Sequence, residues 1–277
     1  MSAAAQITEH VAIGDGHLGL IAGPCSLESR ELAFEVAATL KATCDRLGVP
    51  FIFKASFDKA NRTSAASFRS IGLSESLAIL AEIRSELSVP VLTDIHECAQ
   101  IPAVAAVVDV IQIPAFLCRQ TDLLVAAGAS GCAVNVKKGQ FMAPGDMAYA
   151  VEKLRAKNDP PVLLTERGTT FGYHDLVVDF RGLAVMRALA PVVFDATHSV
   201  QSPGGGGGRS SGQREHVAGL ARAAVAFGVD ALFLEAHPDP ARALSDRDTQ
   251  LPLAAVGELL EDCLAVTAAL GREPAAL

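Results

Sequence analysis

Several short apolar runs in this chain end in basic residues. The run ending at Phe53 leads into Lys54-Ala55-Ser56-Phe57-Asp58-Lys59-Ala60-Asn61-Arg62-Thr63-Ser64, which holds three cations among hydroxyl and amide donors. Lys137 and Lys138 follow a second run, Arg167 a third, and Arg119 a fourth, just after Pro114-Ala115-Phe116. Phosphate and carboxylate groups need donors of this kind, and a guanidinium can grip them in a bidentate way. One such lysine is ordinarily a solvated loop residue, whereas cations at four run ends favour a common anion site. A second set mixes donor types: Cys25, His198, Glu235 and Asp246. A thiol, an imidazole and two carboxylates suit a borderline divalent metal. The same residues also read as a buried inert thiol and a hydrogen-bonded loop histidine, and spacing leaves both readings open. Gln112, His96 and Glu97 sit at further run ends, where they can orient water or substrate. The Gly204–Gly208 run lacks the Lys-Ser/Thr ending of a phosphate loop and reads as a lid. His237-Pro238-Asp239-Pro240 reads as a rigid turn.

These residues need a scaffold that brings run ends together. Core strands are expected near 18–22, 51–54, 90–94, 109–113, 132–136, 161–165, 191–195 and 231–235. Amphipathic helices are expected between them, among them 28–46, 74–87, 146–156, 213–227 and 252–270. Leu253, Val256, Leu259, Leu260, Cys263 and Leu264 carry the helical period of the last, and Gly228 is a stop signal for the one before it. Eight strand–helix units predict a parallel sheet closed into a (β/α)8 TIM barrel, with its reactive groups at the C-terminal strand ends. An open doubly wound sheet is the alternative, but its first turn would be richer in glycine than Gly23-Pro24-Cys25-Ser26. Gly14, Asp15 and Gly16, between short apolar runs, predict an N-terminal β-hairpin capping the barrel bottom.

Bulk composition agrees. The 277 residues fit a single barrel domain over 1–277, and no linker divides them. Half the residues are hydrophobic, only 5% are aromatic and Trp is absent, so the core must be aliphatic, as buried parallel strands require. A formal charge of −8 argues against nucleic acid as a partner but leaves room for local cationic sites. The six cysteines form no regular framework, and the chain start lacks a secretory apolar region, so a cytoplasmic protein with reduced thiols is expected. No apolar run is long enough to span a membrane.

The ordered strings GPCSLESR from Gly23, FKASFDKANRTS from Phe53, TDIHE from Thr93, QIPAFLCRQTDL from Gln112, NVKKGQF from Asn135, TERGTTFGYHDLVVD from Thr165, DATHSVQ from Asp195, EAHPDP from Glu235 and SDRDTQLPL from Ser245 cover nearly the whole chain. Together they closely resemble the 3-deoxy-D-manno-octulosonate 8-phosphate synthases. That resemblance implies a barrel enzyme that condenses phosphoenolpyruvate with D-arabinose 5-phosphate and releases phosphate, making a lipopolysaccharide precursor. It implies Lys54, Lys59, Lys138 and Arg167 for the phosphoenolpyruvate anion, with Gln112 in support. It further implies Lys54, Lys59, Lys138, His198 and Asp246 as the catalytic set. Asn61, Arg62 and Thr63 correspond to the pentose phosphate site. Phe116 and Arg119 are similar to residues that reach a neighbouring subunit's site, which implies a homotetramer. The family has a metal-free branch with Asn at the position of Cys25 and a metal-dependent branch with Cys. The SDRDTQLP stretch resembles the metal-dependent branch, implying one divalent ion of the Zn, Fe, Mn, Co or Cd type on Cys25, His198, Glu235 and Asp246. The chain departs from the pattern in the glycine content of 204–212, where Arg209 would offer a phosphate contact.

Two rival functions remain. The related synthase that uses erythrose 4-phosphate to make 3-deoxy-D-arabino-heptulosonate 7-phosphate shares the barrel, but its second loop typically reads Lys-Pro-Arg-Thr-Ser. Here Ala60 and Asn61 stand between Lys59 and Arg62. A non-catalytic sugar-phosphate binder on the same barrel would need neither metal ligands nor two anion sites.

Overall fold

The structure is a computed structural model that describes residues 3–61, 67–204 and 211–271. Eight strands alternate with helices: β1 Gly19–Gly23, β2 Phe51–Lys54, β3 Val91–Asp94, β4 Val110–Ile113, β5 Ala133–Lys137, β6 Val162–Glu166, β7 Val192–Asp195 and β8 Ala231–His237. Each is parallel to the next, and β8 pairs with both β7 and β1, which closes the barrel. The helices are α1 Arg30–Leu47, α2 Leu73–Leu87, α3 Ile101–Ala105, α4 Thr121–Gly128, α5 Met147–Leu154, α6 Arg181–Arg187, α7 Val217–Phe227 and α8 Val256–Ala269. The expected strands lie within a residue of these, except that β8 runs on to His237. Its extra length is held by Leu251–Pro252, which pairs with Ala236 and His237. Helices α7 and α8 start later than periodicity predicts, because 3₁₀ turns at Arg214–His216 and Leu253–Ala255 precede them. Ser29 caps α1 by accepting from the Leu32 N–H, and Gly228 ends α7 in the left-handed region as expected.

Strand alternation explains where the polar groups go. Side chains two apart share a face, and the barrel interior begins with Ile21, Ile52, Leu92, Val110, Ala133, Leu163, Val193, Ala231 and Phe233. Sealing each Val, Leu, Ile or Phe side chain among them contributes about 1.5–3 kcal/mol. One step further up the same faces stand Lys54, Asp94, Gln112, Asn135, Thr165, Asp195 and Glu235, all buried. Asn135 donates to Gln112 Oε1 at 3.0 Å and accepts from Thr165 Oγ1 at 2.6 Å, so the polar layer binds itself across three strands. The outer strand faces pack with the helices in a second cluster.

The N-terminal hairpin is present, but its turn is not at Gly14–Gly16. Ala5–Gln6 pairs antiparallel with Ala12–Ile13. The turn between them is closed by the Thr8 hydroxyl, which accepts from the His10 and Val11 N–H groups. A local hydroxyl turn thus takes the role assigned to the glycines, which instead lead from the hairpin into β1. Ala5 and Ile13 join the interior cluster and close the barrel bottom. Gly19 admits this plug: a Cβ there would lie 2.3 Å from Ile13 Cδ1. Among the described residues no helix is long and apolar enough to cross a membrane.

Candidate active site

A cavity of about 860 Å³ opens at the C-terminal strand ends. Of the residues expected from sequence, Lys54, Lys59, Asn61, Gln112, Phe116, Arg167, His198, Glu235 and Asp246 line it. Arg62, Thr63 and Arg209, with most of the glycine run, lie outside the described residues.

The four expected metal ligands come from three strand ends, those of β1, β7 and β8, and converge. Cys25 follows β1, and its Sγ lies 3.2 Å from Asp246 Oδ2 and 2.9 Å from Ser245 Oγ. Ligand atoms of Cys25, Glu235 and Asp246 all lie within 4.8 Å of one another. His198 follows β7; its Nε2 is 3.6 Å from Glu235 Oε2 and 3.8 Å from Asp246 Oδ2. Its other ring nitrogen, Nδ1, lies 2.7 Å from Asp195 Oδ2, which turns Nε2 toward the carboxylates. Gln250 is fully buried and links the two arms of the cluster. Its Oε1 accepts from the Cys25 N–H and its Nε2 donates to the Ser245 carbonyl. Asp246 sits in the left-handed region at φ 45, and its carbonyl accepts from the Thr249 and Gln250 N–H groups.

The residues present fit a divalent cation. Glu235 Oε2 is buried and has no hydrogen-bond partner among the described residues. Burial, then the Asp246 and Glu235 carboxylates, push the Cys25 thiol well above its ordinary range. A cation among these donors would offset both costs. Burial also opposes ionisation of Glu235, but His198, Lys54 and Lys59 outweigh it and hold the carboxyl below the usual range.

Beside this cluster lie the cations. Lys54 Nζ donates to Glu235 Oε1 at 2.5 Å and to the Cys25 carbonyl at 2.9 Å. Lys59 Nζ donates to Ser56 Oγ at 2.9 Å. Arg167 donates through Nη2 to Gln201 Oε1 at 2.7 Å, while its buried Nη1 has no partner among the described residues.

The Lys137–Lys138 doublet needs a correction. Lys137 ends β5 on the inner face, contacts Asp195 and lies 3.1 Å above the Phe233 ring centroid. Lys138, expected from sequence to hold the anion, does not line the cavity. Alternation turns it outward, and its Nζ donates to the Gly139 and Met142 carbonyls and Thr169 Oγ1, 3.5 Å from Glu166 Oε1. Burial lowers the Lys137 pKa to about 8, against the pull of Asp195. Asp195 thereby stands between Lys137 and His198.

Other cavity groups were missed or underweighted in sequence. Asp94 Oδ2 lies 3.2 Å from His96 Nε2, and both residues line the wall. Burial works against each charge, but their hydrogen bond and mutual field win, lowering Asp94 and raising His96. Gln201 and Asp195 also line it. At the rim Phe116 is 52% exposed. Arg119 does not line the cavity; its carbonyl accepts from Lys153 Nζ. His237 is buried, and its Nδ1 accepts from the Asp239 N–H, in keeping with a turn-forming role.

The chain has close relatives. It is 56% identical over 262 residues to a 2-dehydro-3-deoxyphosphooctonate aldolase from Desulfotalea psychrophila, covering 94% of each chain. It is 57% identical over 268 residues to a protein of the same name from a Synechococcus strain, covering 96% of this chain and 94% of the relative. A third so named, from a Cyanothece strain, is 56% identical over 267 residues, covering 96% and 98%. Residues 2–269 match a family described as DAHP synthetase I. A closed barrel with these strand-end residues, matched over nearly its full length, belongs to the DAHP synthetase I family.

Proposed function

We propose that this chain condenses phosphoenolpyruvate with D-arabinose 5-phosphate and water, giving 3-deoxy-D-manno-octulosonate 8-phosphate and phosphate. The observation that carries this reading is one cavity lined by Lys54, Lys59, Lys137, Arg167, His198, Glu235 and Asp246, with the buried Cys25 thiol grouped with Glu235 and Asp246. Relatives above 50% identity bear the name 2-dehydro-3-deoxyphosphooctonate aldolase, which names the same product chemistry.

Three steps make up the reaction. Enol C3 of phosphoenolpyruvate forms a bond to the pentose aldehyde carbon, whose oxygen takes a proton. Water adds to the electron-poor C2 and gives up a proton. The resulting hemiketal phosphate breaks the C2–O bond to its phosphoryl group; as phosphate leaves, the C2 hydroxyl gives up its proton and becomes the keto group of the product. Lys54, Lys59, Lys137 and Arg167 neutralise the phosphate and carboxylate of phosphoenolpyruvate, and Gln112 lies in the same wall. Holding two reactants in register can lower a barrier by about 7 kcal/mol or more, and preorganised donors add to this. Asn61, with Arg62 and Thr63, would take the pentose phosphate. Asp195 stands between Lys137 and His198 at the cavity floor and keeps both side chains in place. Cys25, His198, Glu235 and Asp246 would hold a divalent metal of the Zn, Fe, Mn, Co or Cd type, which supplies Lewis acidity when bound.

The exposed Phe116 and the nearby Arg119 support a homotetramer in which each subunit reaches toward a neighbour's cavity. A cytoplasmic place in lipopolysaccharide precursor synthesis follows from the product, and the net charge of −8 fits small anionic substrates held locally better than nucleic acid.

Initial rates with arabinose 5-phosphate and erythrose 4-phosphate, measured in parallel, test the choice of aldose. A clear preference for the pentose is expected; preference for the tetrose would assign the chain to heptulosonate synthesis.

A further inference from the structure

We infer that Lys138 and Glu166 form a buried positioning pair that aims Arg167 into the cavity. The inference rests on the reading of Arg167 as an anion-holding group. Glu166 ends β6, and its Oε1 accepts from the Arg167 N–H at 2.9 Å and the Gly168 N–H at 2.6 Å. Those two bonds fix the backbone turn from which the Arg167 side chain projects. Gly168 supplies the positive φ that this turn requires, at 93°.

The same Glu166 oxygen lies 3.5 Å from Lys138 Nζ, with both side chains at most 4% exposed. Lys138 also donates to Thr169 Oγ1, just past the turn, and to the carbonyls of Gly139 and Met142 in the loop after β5. Its backbone N–H donates to the Thr165 carbonyl on β6. The lysine therefore ties two loops together and neutralises the carboxylate that holds the Arg167 turn. A buried carboxylate without this partner would carry an uncompensated charge and rearrange. Arg167 itself is buried, with Nη2 bound to Gln201 and Nη1 without a hydrogen-bond partner among the described residues. An arginine so enclosed cannot search for its ligand; its aim is set by the turn beneath it. Strand alternation thus divides the lysine doublet: Lys137 faces the cavity, and Lys138 acts through Arg167.

The test is a double-mutant cycle on the metal-loaded protein, with KM for phosphoenolpyruvate, KM for arabinose 5-phosphate and kcat read separately. Arg167→Ala is expected to raise the phosphoenolpyruvate KM strongly. Lys138→Met should raise it at least tenfold, with kcat and the pentose KM changed less than threefold, and should add less than threefold in the Arg167→Ala background. Glu166→Gln, which keeps the size and an acceptor oxygen, should show the same split and serves if Lys138→Met folds poorly by circular dichroism. An unchanged phosphoenolpyruvate KM in both positioning variants while Arg167→Ala is impaired would overturn the pair alone, as would full additivity in the cycle. No effect of Arg167→Ala would overturn the anion-site reading and the pair with it.

Discussion

Glu235 meets Lys54 with one carboxylate oxygen, at 2.5 Å, and leaves its other oxygen buried without a hydrogen-bond partner among the described residues. The two side chains are at most 1% exposed, so neither charge has water to fall back on. Removing one partner of such a pair typically costs about 3–5 kcal/mol, because the other charge is stranded. Lys54→Met should therefore lower unfolding stability by several kcal/mol in a chemical-denaturation experiment on metal-free protein. The exposed Arg46–Glu261 pair offers a control, and Arg46→Met should change stability little. Equal, small effects would contradict the buried-pair account.

Metal removal should abolish turnover, and a suitable divalent ion should restore it. The family resemblance sharpens this, since the metal-free branch carries Asn at the Cys25 position. Cys25→Asn should keep some turnover that a chelator does not touch, whereas Cys25→Ala should be inactive or chelator-sensitive. Full activity of metal-stripped native protein would refute the metal assignment.

Gln250 should govern how tightly that metal is held. Its amide joins the Cys25 N–H to the Ser245 carbonyl, and outer partners of this sort typically account for about 10–100-fold in metal affinity. Gln250→Met keeps the side-chain length and loses both bonds. Competition with a chromophoric chelator should show weaker metal binding of that order; unchanged affinity would mean the two arms hold themselves.

The pH profile should report Lys137. Burial lowers its pKa to about 8, with Asp195, Lys54 and Glu235 as the charged groups around it. The ammonium is present below that value and is lost as pH rises through it. If its charge holds phosphoenolpyruvate, kcat/KM for that substrate falls about tenfold per unit above pH 8. Lys137→Arg should remove this limb, because a guanidinium stays charged. A flat wild-type profile between pH 7 and 9.5 would speak against the role.

Much of the scaffold was legible because buried parallel strands are plain apolar runs, and β2 was expected at the span it occupies. The hairpin turn was misplaced because a hydroxyl at Thr8 closes it, a weaker sequence signal than the two nearby glycines. The metal ligands were visible as residue types only. Cys25, His198 and Glu235 are joined by barrel closure, which no local spacing encodes, and the family resemblance supplied what spacing did not. The exchange of Lys138 for Lys137 had a readable signal. In Ala133-Val134-Asn135-Val136-Lys137 the polar Asn135 marks the face that carries on to the barrel mouth, and Lys137 shares it. Gln250 gave no comparable signal, because its role depends on two partners that are far apart in sequence or backbone atoms.

The central claim is the condensation itself. Metal-loaded protein should release inorganic phosphate when phosphoenolpyruvate and arabinose 5-phosphate are both present, with an eight-carbon sugar acid phosphate forming in equal amount. Neither substrate alone should give phosphate. Absence of phosphate release from the mixture, or equal release from phosphoenolpyruvate alone, would contradict the account.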